Sequence, residues 1–189
     1  MMIGTNRNIH ETIKRMPNYS VGVELGVWKG DSSELMSQKT RKLHLVDSWS
    51  VEPYKHLESY EDYLKRYSGI TGGNTPKEFM NYYDQIYESV CQRFQQKLNV
   101  QIWRMDTKRF FRMFDEKVDW FYVDAAHDED GVYEDLVNTY KHLTSHGGGI
   151  IFGDDYGNKK GVVKGVDRFV EEYKVDLNNF YNNQYEIKV

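Results

Sequence analysis

The sequence predicts a doubly wound, mostly parallel α/β sheet with a helical insert between its second and third strands. Three observations carry this. Short apolar runs alternate with segments of helical period, the order that builds βαβ units with right-handed crossovers. The runs are almost continuously apolar, as strands covered on both faces require. Each run ends in an acid or has one just beyond it, which points to one functional edge of the sheet.

Five strands are expected in order: VGVEL (21–25), KLHLVD (42–47), NVQIW (99–103), VDWFYVD (118–124) and GGIIFGDD (148–155). Between them, Asp31-Ser32-Ser33-Glu34 has the form of a capping box and opens a helix through Leu35 and Met36. Thr107 is the expected cap of a helix that sets Phe110, Phe111 and Phe114 on one face. Val132, Leu136, Tyr140 and Leu143 follow helical spacing, with Gly147 as the stop. Val162, Val166, Phe169 and Tyr173 mark another helix, and the tail reads as a final antiparallel hairpin.

About fifty residues separate the second strand from the third, far more than a crossover needs. Seven tyrosines fall there: Tyr54, Tyr60, Tyr63, Tyr67, Tyr82, Tyr83 and Tyr87. SGITGGN (68–74) divides the segment, and Thr75-Pro76-Lys77-Glu78 starts a new helix with a cap, a first-turn proline and a reciprocal glutamate. Residues 51–95 are therefore expected to form a helical lid or substrate cap, or else an extra layer or subunit contact. Tyrosine suits both roles, so a homo-oligomer stays open.

The 189 residues suit one domain. A formal charge of −4 disfavours a nucleic-acid partner, which usually needs a basic face. The single cysteine, Cys91, excludes an internal disulfide and a thiolate zinc site. No apolar run approaches membrane-spanning length, so a cytoplasmic protein with no membrane partner is the expectation.

The acids Glu24, Asp47, Asp106, Asp124 and the pair Asp154-Asp155 all fall at strand ends. In the first turn, ELGVWKG (24–30), Gly26 and Gly30 allow a tight backbone and close approach of a ligand to the following helix start. The pattern acid-x-Gly-x-x-x-Gly differs from the Gly-x-Gly-x-x-Gly of dinucleotide binders. An acid there would repel a pyrophosphate but suits the ammonium of a methionine moiety. Asp47, about twenty residues on, can hold ribose hydroxyls, and Asp106 lies within reach of an adenine amino group. Ser32, Ser48, Trp49 and Thr107 flank these positions and complete the expected cofactor contacts. Asp106 could instead cap its own helix, and Trp28 and Trp49 could simply pack.

VGVELGVWKGDSS and LHLVDSW resemble the first two motifs of the class I S-adenosylmethionine-dependent methyltransferases, a Rossmann-like family. The likeness runs from Val21 to the end of the chain. FYVDAAHDEDGVYEDL followed by GGGIIFGDDY is similar to a small-molecule O-methyltransferase subgroup that includes macrolide and aminocoumarin sugar methyltransferases and catechol-type enzymes. The resemblance implies methyl transfer from S-adenosylmethionine to a hydroxyl of a small molecule or glycan. It also implies a magnesium site formed by Asp124, Asp154 and Asp155. Adjacent carboxylates repel unless a cation neutralises them, and magnesium prefers oxygen ligands.

His127 stands where catechol-type enzymes carry a lysine base, so it and Asp124 are the expected catalytic residues. Ala126 replaces the second aspartate that sugar-methylating relatives often carry there, a departure that bears on base and substrate. The rival readings are a metal-independent methyltransferase on another acceptor, a non-catalytic cofactor-binding protein, and a nicotinamide-dependent oxidoreductase.

Overall fold

A computed structural model of the chain describes residues 9–55, 57, 60–180 and 183–189. Its centre is β1 (Ser20–Leu25), buried at every residue and flanked in parallel by β2 (Thr40–Asp47) and β4 (Trp120–Val123). β3 (Val100–Arg104) joins outside β2, and β5 (Ile150–Gly153) outside β4, both parallel. β7 (Gln184–Lys188) pairs antiparallel with β5, and β6 (Leu177–Phe180) pairs antiparallel with β7. The order is therefore β3-β2-β1-β4-β5-β7-β6, and it reverses between β1 and β4. All five expected parallel strands and the terminal hairpin are present.

Alternation along the strands feeds two cores. Val21, Val23 and Leu25 of β1 and Phe121 and Val123 of β4 face one layer. That layer is made of α5 (Thr107–Met113), α6 (Glu129–Ser145) and α7 (Lys160–Tyr173). Leu43, Leu45, Trp120 and Tyr122 face the other, built from α1 (Ile9–Arg15), α2 (Asp31–Ser37) and the C-terminal half of α4 (Pro76–Phe94). Among the described residues no helix is long and apolar enough to cross a membrane.

The insert is a helical hairpin, α3 (Tyr60–Thr71) and α4, preceded by a short 3-10 turn at Glu52–Tyr54. The Thr75–Glu78 capping box forms as the sequence implies, with the Thr75 side chain accepting from the Glu78 amide and Glu78 bonding back. Val90 and Phe94 sink into the sheet's core, whereas Val51, Leu64 and Phe79 make a small core of the insert's own. Arg104, at the end of β3, ties α4 down. Its guanidinium pairs with Asp84, donates to the Trp49 carbonyl at 3.2 Å and lies 4.6 Å from the Tyr87 ring centre.

Two expected caps differ. At α2 the N-cap is Gly30, in a left-handed conformation (φ 76°) with no side-chain bond, and Asp31 is already helical. The chain turns so sharply here that only its glycine fits comfortably, and no Asp31 capping box forms. At α5 the cap is Asp106, whose side chain accepts from the Arg109 amide at 2.7 Å. Thr107 instead donates to Asp135 at 2.5 Å.

Candidate functional site

The carboxyl ends of β1, β2 and β4 open into a cleft of about 1180 Å³. That exceeds the usual volume of a single small-molecule site and leaves room for two ligands. The insert forms its far wall through Tyr54, Tyr63, Tyr67, Tyr82 and Tyr83. Ten carboxyl side chains line the cleft, against four basic ones, Lys29, Lys108, Arg112 and His127.

Glu24 is 1% exposed at the floor, on the β1 face that looks toward α2. Burial pushes its carboxyl well above the usual range; the Ser33 hydroxyl, which donates to it, pulls the other way, and Asp124 and Asp47 raise it further. Among the described residues no cation pairs with it. A buried acid of this kind is stabilised by a ligand that brings a positive charge.

The glycine turn lies directly above. Gly26 has φ 89°, and a Cβ there would sit 2.0 Å from the Asp124 carbonyl oxygen, so the turn after β1 packs against the turn after β4 with no room for a side chain. Trp28 and Trp49 also have left-handed backbones, φ 49° and 40°, which is costly for bulky residues. One carboxylate holds both. Asp47 accepts from the Val27 and Trp28 amides at 2.9 Å each through Oδ2, and from the Trp49 amide at 2.7 Å through Oδ1. The Trp49 indole then donates to the Trp28 carbonyl at 2.8 Å.

Three of the roughly four acceptor directions of Asp47 are thus occupied by backbone. Trp49 itself is fully buried, packed 5.1 Å from the Tyr87 ring, and does not line the cleft. Its ring, expected among the cofactor contacts, lies in the core behind the turn that Asp47 holds. Gly26, Ser32, Asp47, Ser48, Asp106 and Thr107 all line the cleft, together with Glu24, whereas Gly30 sits just behind it at the start of α2.

At the β4 end the converging groups are Asp124, His127 and Asp155, whose ligand-capable atoms lie within 4.8 Å of one another. His127 Nε2 is 3.2 Å from Asp155 and 3.7 Å from Asp124. Its bonds to Asp124 and Asp155 push the imidazole up to about 9, while burial pushes Asp124 up to about 6. His127 is therefore an imidazolium at neutral pH, not the near-neutral base that its residue type suggests.

Asp154 accepts from Tyr122 at 3.2 Å and from the Asp155 amide at 2.7 Å, and its charge helps to raise Asp124. Of the expected trio, Asp124 and Asp155 cluster with His127, and Asp154 lies beside Asp155 with its charge felt at Asp124. Adjacent residues at a strand end face opposite ways, and Asp155 adopts φ 64°, which swings its side chain toward His127.

One site residue went unnoticed in the sequence. Asp135, 3% exposed on the inner face of α6, accepts from Thr107 and from the Ala126 amide, and burial raises it to about 7. It joins the turn after β4 to the start of α5. Its signal was there to read: Asp135 interrupts the apolar stripe Val132, Leu136, Leu143 at a buried position.

The sequence matches a family described as a methyltransferase domain over residues 23–156, more than half of the chain. No curated protein matches it. Among solved structures, the O-methyltransferase TomG from Streptomyces achromogenes, involved in tomaymycin synthesis and determined with S-adenosylmethionine, is 14% identical with a TM-score of 0.58. That match covers 90% of this chain and 73% of TomG. The O-methyltransferase NovP is 14% identical with a TM-score of 0.56 over 93% of this chain and 73% of NovP. An rRNA methylase from Streptococcus thermophilus is 11% identical with a TM-score of 0.54 over 98% and 97% of the two chains. At such identities these likenesses speak to the fold. With the family match across both the acid-glycine turn and the acids that follow it, they make this chain a member of the class I S-adenosylmethionine-dependent methyltransferases.

Proposed function

We propose that the protein transfers the methyl group of S-adenosylmethionine to a hydroxyl oxygen of a small molecule or glycan, with help from a divalent cation, magnesium by preference. The observation that carries the donor half is Glu24, a buried carboxylate without a cation partner, at the end of the glycine turn. The ammonium of the methionine moiety would supply the missing charge. Asp47 holds the Val27–Trp28 turn in shape and keeps one acceptor direction for a ribose hydroxyl. Asp106 caps α5 through one oxygen, which leaves the other for an adenine amino group, and Ser32, Ser48 and Thr107 line the same half of the cleft.

The bound donor brings an already activated sulfonium methyl, so the protein's work is chiefly to orient the acceptor in line with it. Asp124 and Asp155 present oxygen donors of the kind magnesium prefers. A cation there would acidify an acceptor hydroxyl and offset the negative charge that holds His127 protonated. His127 would then be free to take the hydroxyl proton, with Asp155 and Asp124 orienting its ring. The same carboxylate oxygens also suit manganese.

A nucleic-acid acceptor, as in the rRNA methylase, is the weaker reading, because ten carboxyl groups outnumber four basic side chains in the cleft and a polyanion would be repelled. The test is turnover. Formation of S-adenosylhomocysteine is measured over a panel of catechols and sugars, with magnesium and with EDTA. Magnesium-dependent turnover of a hydroxyl acceptor supports the reading. Full activity in EDTA would remove the metal from it, and turnover on RNA alone would replace it.

A further inference from the structure

The methylation chemistry leaves the insert unexplained, although it forms one whole wall of the cleft. Its tyrosines are arranged, not scattered. Tyr54 stacks on Tyr63 with ring centres 4.7 Å apart and planes at 17°. Tyr63 bonds hydroxyl to hydroxyl with Tyr83 at 2.7 Å, and Phe79 backs the Tyr63 ring at 5.7 Å. The Tyr54 hydroxyl makes no hydrogen bond with any described residue, and burial keeps it protonated throughout the working range. It is a neutral donor on an aromatic face, open to the cleft.

Several of the acids that line the cleft are already paired. Glu52 pairs with Lys55 at 2.5 Å, Asp130 with Arg168 at 3.0 Å and Glu134 with Lys108 at 2.7 Å. Asp128 differs. One of its oxygens accepts from the Gly131 amide at 2.9 Å as the cap of α6, and among the described residues no cation pairs with it. Asp128 lines the same cleft as Tyr54 and Tyr63, one residue beyond His127, and its charge, after that of Asp47, acts on the Tyr54 hydroxyl. An unpaired carboxylate and stacked tyrosine rings lining one cleft can together hold an alkylammonium, through charge and ring quadrupoles.

Resting on the reading that this cleft methylates a hydroxyl, we propose that Asp128 and the Tyr54–Tyr63 face form an ammonium subsite, so that the methyl acceptor is a hydroxylated ring carrying an amino group. The shared chemistry fits an amino sugar or an aminoalkyl phenol. The surplus of carboxylates works in the same direction, favouring cations and disfavouring carboxylated or phosphorylated acceptors.

The test uses the full chain saturated with S-adenosylhomocysteine and matched probes followed by ligand-observed NMR. One arm compares glucosamine with glucose. The other compares dopamine with 4-methylcatechol and with 3,4-dihydroxyphenylacetate. In at least one arm the amine should bind about tenfold more tightly than its neutral partner, and the carboxylate should bind worst. Asp128→Asn, which keeps the helix cap, should abolish that advantage, and Tyr54→Leu should weaken the amine. Equal binding of amine and neutral probes in both arms, better binding of the carboxylate, or an amine advantage that survives Asp128→Asn would overturn the proposal. Turnover is read separately. An Asp128-dependent amine preference without methylation would uphold the subsite and count against hydroxyl transfer, and methylation of neutral probes alone would do the reverse.

Discussion

The two walls of the cleft are built on opposite physical principles. On the strand side, polar groups are held by the backbone: Asp47 takes three amides, Asp106 caps α5, and Gly26 lets two turns touch. On the cap side, rings are held by rings. Its tyrosines pack on one another, with a hydroxyl–hydroxyl bond between Tyr63 and Tyr83, around a small buried core of Val51, Leu64 and Phe79. A wall fixed by directional bonds to the main chain suits a ligand that never changes, and a wall of aromatic faces suits one that defines specificity. The strand wall should therefore fail abruptly on mutation, and the cap wall gradually.

Gly26→Ala should be the most damaging single change. It forces an alanine to φ 89° and into the Asp124 carbonyl, at about 4 kcal/mol, and urea unfolding together with loss of S-adenosylhomocysteine binding would show it. Asp47→Ala should follow at about 3 kcal/mol, because three amides lose their acceptor and two left-handed tryptophans lose their restraint. If instead Asp47→Ala weakened donor binding while the unfolding midpoint stayed put, its main role would be the ribose and not the turn. On the cap wall, Tyr63→Phe should cost about 1 kcal/mol and raise the acceptor KM while leaving donor affinity unchanged.

The mildest effect concerns pH. His127 is raised in the folded chain, so the stability it lends is complete below its unfolded value of 6.5 and is lost as pH rises through about 9. In EDTA, the Tm should fall over that window and His127→Gln should flatten the fall. Magnesium should move the His127 titration downward in NMR, and an unmoved titration would separate the cation from this cluster.

The legibility of the sequence divides along the same line. The strand wall could be read because its cues are local and chemical: VGVEL is continuously apolar, and each strand end carries its acid. The Thr75 capping box was readable for the same reason, since cap and partner sit three residues apart. What escaped depends on direction. Asp154 and Asp155 are neighbours in sequence, yet one bonds Tyr122 inside the sheet and the other meets His127, a divergence set by one left-handed φ. For Trp49 the sequence left cofactor contact and packing open, and its ring lies in the core while Asp47 holds its amide. The cap tyrosines showed in the sequence as an excess of one residue type, and only the packing of α3 on α4 shows which of them share a face.

The central claim is that the strand wall binds the methyl donor by its amino-acid end through Glu24. Calorimetric titration of S-adenosylhomocysteine and of 5′-methylthioadenosine, which lacks the amino-acid group, into the wild-type chain and Glu24→Gln tests it directly. The account predicts that Glu24→Gln weakens S-adenosylhomocysteine at least about tenfold, the loss of one charged hydrogen bond, and leaves methylthioadenosine unchanged. Equal losses for both ligands, or no loss for either, would contradict it.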